Sequence, residues 1–126
     1  MKLRIVIAAA LMAAAIGTAV VCVLRLNACT KEMSGAIETA LARAVTDDPG
    51  WEAASEEVAR LWERDDEFLH TLLPHVNLNE LEWALGAMPE YLGQRDRALY
   101  AEQCVRALQC LRTIRDMERP SWGNIF

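Results

Sequence analysis

From Ile5 to Leu24 the chain carries no Asp, Glu, Lys or Arg, and Lys2, Arg4 and Arg25 bracket the run. Twenty helical residues extend about 30 Å, the thickness of a bilayer's hydrocarbon core. A soluble fold would have to cover such a helix on every side, which the rest of a 126-residue chain is too small to do. Thr18 is the one hydroxyl in the run and can bond back to its own helix. The run also exceeds the apolar core of a secretory signal, roughly 7–15 residues. These features predict a transmembrane signal anchor over residues 1–26.

Two other fates for this segment are readable. Ala13-Ala14-Ala15 and Thr18-Ala19 offer small residues to a signal peptidase. Leu26-Asn27-Ala28-Cys29 is a loose lipobox that would make Cys29 a lipidated terminus, although Arg25 and Asn27 depart from that pattern. For a retained anchor, the short tail with Lys2 and Arg4 places the N-terminus in the cytoplasm and residues 27–119 outside the cell membrane.

Beyond the anchor the chain reads as helices. Met33, Ile37, Leu41 and Val45, with Ala36, Ala40 and Ala44 beside them, form one stripe continuous with the anchor. Asp47-Asp48-Pro49-Gly50 ends it and starts a second helix from Pro49 to Leu72. This helix buries Trp51, Val58, Leu61, Trp62, Leu69 and Leu72 and turns its acids, Asp65 among them, outward. Pro74 breaks the pattern, and Asn77 with Glu80 forms a capping-box-like start for a third helix. Leu78, Leu81, Leu85, Met88 and Leu92 make a heptad-like seam that Pro89 either kinks or ends near Ala87. Gly93 reads as a C-cap and Asp96 as the N-cap of a last helix, Arg97 to Glu118, burying Ala101, Cys104, Val105, Leu108, Leu111 and Ile114. The expected fold is all-α: a single transmembrane helix followed by a small up-down helical bundle over residues 27–119, with an apolar tail at 120–126.

Little in this chain points to catalysis. Glu67-x-x-His70 puts two metal-ligating types on one helix face, and His75 is the only candidate third ligand among the histidines, so Glu67, His70 and His75 are the one conceivable metal set. A second Glu-x-x-His is missing because Leu72 stands three residues before His75. No C-x-x-C, Gly-x-Ser-x-Gly or glycine-rich phosphate loop is present, and Cys104 and Cys110 are six apart on different helix faces. No catalytic residue and no cofactor are therefore expected.

The charge is more informative. A net charge of −5 excludes a general nucleic-acid binder. Residues 47–90 hold twelve acids against Arg60 and Arg64, whereas residues 91–126 hold six arginines against four acids. An acidic face over residues 52–67 reads first as a solvated helix surface, and it also suits docking onto the last helix or steering of a basic partner. Trp83 falls off the Leu81–Leu85 seam, and Trp122, Ile125 and Phe126 make the tail too apolar for a solvated end, suiting it first to dock onto the bundle, or else to rest at the membrane interface or bind another protein. These four residues are the expected interaction positions.

An anchor, a helical extension, an acidic helix bearing Trp51 and Trp62 that ends near His70 and His75, and a Pro120-x-Trp122-x-Asn124-Ile125-Phe126 ending occur here in that order. This arrangement resembles an uncharacterised family of small membrane-anchored helical proteins of clostridia and related Gram-positive bacteria. The resemblance implies a single-pass anchor and an all-α ectodomain, and it implies no activity. The expected function is protein–protein contact at the outer face of the membrane. Besides the lipid bilayer, the expected partner is another membrane protein or a second copy packed along Ala8, Met12, Ala15 and Ala19. The competing expectation is a lipoprotein or secreted helical module that binds a small ligand or a metal.

Overall fold

Apolar seams whose steps alternate between three and four residues organise this chain, because that period keeps a helix's buried side facing one neighbour. The computed structural model describes residues 1–118, apart from the side chains of His75, Asn77 and Glu118. It shows four helices: α1 (Lys2–Val45), α2 (Trp51–Leu72), α3 (His75–Gly93) and α4 (Arg97–Glu118), with no strand among the described residues. The tail at 120–126, with Trp122, Ile125 and Phe126, lies outside the described residues.

Helix α1 is one unbroken rod of 44 residues. At 1.5 Å per residue it is about 66 Å long, twice the length the bundle needs. Its apolar window is long enough to cross a membrane and is not covered by any other described part of the chain. Burial starts at Leu26 and continues through Thr30, Met33, Ile37, Ala40 and Ala44. Val45, expected in the stripe, is exposed. Steps of four overshoot the helical repeat by about 40° each, so three of them carry Val45 a third of a turn away from Met33.

The second half of α1 packs against α2 and α4, and α3 closes the ring between those two. Loops of a few residues force successive helices antiparallel. Arg97, at the start of α4, reaches the carbonyl oxygens of Arg43 and Ala44 at the end of α1. Its guanidinium also pairs with Asp47 at 2.8 Å and lies 4.4 Å from the Trp51 ring centroid. Trp51 in turn meets Tyr100 edge-on, with centroids 5.1 Å apart. This cluster closes the end of the bundle away from the apolar arm.

Several local expectations need correction. α2 starts at Trp51, not Pro49, because the Asp48 carboxylate accepts the Gly50 N–H at 2.8 Å and holds residues 48–50 in a turn. α3 starts at His75, so Asn77 lies inside the helix and no capping box forms there. Helix α3 also runs through Pro89 to Gly93 without ending; Pro89 is exposed, so its ring faces solvent while Leu85 and Met88 stay buried. The left-handed residue after α3 is Arg95, φ 57°, not Gly93. Asp96 does cap α4 through the Leu99 N–H, as expected.

The buried face of α4 is Tyr100, Cys104, Ala107, Leu111 and Ile114. Val105 is exposed, and Ala101 and Leu108 are half-buried, so the expected face is turned by about one residue. The full burial of Tyr100 against Trp51 fixes that rotation. Leu72 is also more exposed than its assignment to the core of α2 implied.

Candidate functional site

Of the neighbouring pairs, α2 and α3 pack least closely. Between them runs an open groove floored by Val58, Ala59, Trp62, Leu85 and Met88, with Glu63 and Glu82 on its rims. Val58, Leu85 and Met88 are core residues seen from outside, and Trp62 is half-buried. Gly86 has no atom near where a Cβ would stand, so its surface is open rather than packed. An apolar floor with acidic rims can hold an amphipathic segment that carries basic residues. Helix spacing identified Val58, Trp62, Leu85 and Met88 as core; only their arrangement in space, with Ala59, makes them a groove.

At the lower end of this groove, the His70 Nδ1–H donates to the Asp66 carbonyl at 2.7 Å, which is the role the carbonyl dictates. The Nε2 edge lies 3.8 Å from Glu82 of α3, and the ring meets Trp62 with centroids 6.0 Å apart. His70 thus joins α2 to α3, a partnership with Glu82 that sequence spacing did not suggest. Glu67 is exposed. No group of three metal-ligating side chains occurs among the described residues, and the side chain of His75 lies outside them. Trp83 is 75% exposed on the outer side of α3, where the sequence placed it.

The second polar cluster is internal. Asp65, expected among the solvated acids, is buried on the α2 seam and needs correcting. It stands seven residues after Val58, so the heptad turns it inward. Arg64 grips its carboxylate with two bonds of 2.9 Å and extends to Glu32 of α1 at 2.8 Å. The bonds to Asp65 and Glu32 push the Arg64 pKa up. Cys29 of α1 packs beside Asp65; burial first, and then that carboxylate, raise the thiol's pKa. Cys110 is raised by burial and by Glu80.

Next to the span, the Arg25 guanidinium lies 4.1 Å from the Phe68 ring centroid. This cation–π contact ties the last residue before burial begins in α1 to the final turns of α2.

Compared with protein-family models, curated proteins and solved structures, the chain matches none.

Proposed function

We propose that the chain is a single-pass cell-membrane protein: residues 1–26 anchor it, and the bundle stands on the outer face as a docking module for another protein. One observation carries this reading. The charge-free run is exposed apart from half-buried Cys22, yet it continues without a break in the helix into a core that starts at Leu26. Twenty exposed apolar residues are stable only when lipid or another apolar surface covers them. Cys29 is buried in that same helix, so lipidation there would pull a core side chain out beside Asp65.

The groove between α2 and α3, the acidic face around it and Trp83 form the contact surface. Its partner is another membrane protein with a basic amphipathic segment, or a second copy associating through the span. The tail with Trp122, Ile125 and Phe126 is a further contact element. A reporter enzyme fused after Phe126 tests the placement, since activity restricted to the cytoplasm would reverse it. A photo-crosslinking residue at Trp83, activated in native membranes, tests the docking role. The expected result is a discrete adduct; no adduct from Trp83 or from Gly86 in the groove would remove the docking surface.

A further inference from the structure

Taking the span as membrane-inserted, as proposed above, we infer that the turn joining α2 to α3 is a second membrane contact: Leu72, Pro74 and Val76 rest in the headgroup–acyl boundary beside the span. Thus the bundle stands directly on the bilayer rather than swinging on a tether.

Register places the turn there. Across the antiparallel pair, Arg64 meets Glu32 and Phe68 meets Arg25. One more turn along α2, about 5–6 Å, brings Leu72 level with residues near Cys22, inside the charge-free run. Cys22 supports this level independently: it is the single half-buried residue between 5 and 24. No linker intervenes, because burial in the bundle starts at Leu26, immediately after Arg25.

Chemistry points the same way. The region 47–90 is densely acidic, yet residues 68–79 contain no Asp, Glu, Lys or Arg. The gap falls on the turn that faces the membrane. Within it Val76 is 78% exposed and Leu72 is 39% exposed. In water these side chains gain nothing from their position, whereas at the bilayer boundary each is transferred out of water. The opposite end of the bundle carries Asp47, Asp48, Arg95 and Asp96, which are suited to solvent.

Depth-dependent fluorescence quenching tests the contact on the full chain in phosphatidylcholine vesicles. A single fluorophore is attached at Val76→Cys, Ile16→Cys or Gln94→Cys in a Cys22→Ala/Cys110→Ala background; Cys29 and Cys104 are buried and stay unlabelled. Val76 is exposed, so its replacement leaves the core untouched, and circular dichroism verifies helicity. Lipids with a nitroxide near the headgroup should quench the label at Val76 roughly twofold or more and leave that at Gln94 unchanged. Lipids with a deep nitroxide should quench Ile16. If Ile16 is quenched and Val76 is not, the second contact is wrong and the anchor stands. If Ile16 escapes quenching, both readings fall. Quenching at Gln94 equal to that at Val76 would mean a bundle lying on its side, which also overturns the inference.

Discussion

The guanidinium of Arg64 folds back onto the carboxylate of its own neighbour, Asp65, through two hydrogen bonds of 2.9 Å. Adjacent helical residues point about 100° apart, so this contact requires one to sit at the edge of the seam and the other inside it. The Asp65 side chain is 3% exposed and that of Arg64 is 43% exposed. A buried carboxylate that loses its counter-charge costs more than a carboxylate replaced outright by an apolar side chain. Arg64→Ala should therefore lower the melting temperature of the detergent-solubilised protein by roughly 5–10 °C, and Asp65→Leu by no more than about 3 °C. Glu32→Ala removes only the exposed arm of the network and should be close to neutral. The reverse order, with Asp65→Leu the worst of the three, would show that the carboxylate holds the core together for a reason other than its pairing.

How much of this could be seen in advance depended on how unambiguous each seam was. Leu78, Leu81, Leu85 and Met88 are large apolar residues whose chain neighbours are polar (Asn77, Asn79, Glu80, Glu82) or small (Ala84, Gly86, Ala87), apart from Pro89, so the face of α3 was legible. α4 offers two adjacent faces of similar composition, one through Tyr100 and Ala107, the other through Ala101, Val105 and Leu108. Only the tertiary contact between Trp51 and Tyr100 selects the first. Asp65 was hidden for another reason: acids are almost never fully buried unless paired, and its partner is the residue just before it in the chain. The groove had no signature at all, because it arises from the spacing between α2 and α3 rather than from any residue in them.

Arg95 occupies the left-handed position of a Schellman turn: its N–H bonds the Leu92 carbonyl, and the Asp96 N–H bonds that of Tyr91. A non-glycine residue at φ 57° carries a Cβ that crowds its own backbone. The side chain's pairing with Glu52 spans 3.7 Å between exposed groups, which stabilises little. Relief of strain wins over loss of that pair. Arg95→Gly should stabilise the bundle by about 0.5–1 kcal/mol in denaturant unfolding, despite the greater freedom glycine gives the unfolded chain. A measured loss of stability would mean that the Arg95–Glu52 pair matters more than its exposure implies.

Alkaline pH probes the core beneath this turn. Burial pushes both Cys104 and Tyr100 up to about 12, from ordinary values of 9.0 and 10.0, with Ser55 partly opposing the shift at Tyr100. Each group is neutral when protonated, so the folded state resists ionisation that the unfolded chain accepts. The stabilisation is complete below about pH 9 and is lost as pH rises from 9 through 12. Where only the unfolded chain ionises, each group adds a slope of up to about 1.4 kcal/mol per pH unit. Cys104→Ala removes one of these slopes while leaving Tyr100, so its stability should fall less steeply between about pH 9 and 11. Unfolding by denaturant at stepped pH reads that difference directly, whatever the variant's stability at neutrality. Parallel curves for the two proteins would mean that the Cys104 thiol ionises as readily folded as unfolded, and that water reaches the centre of the bundle.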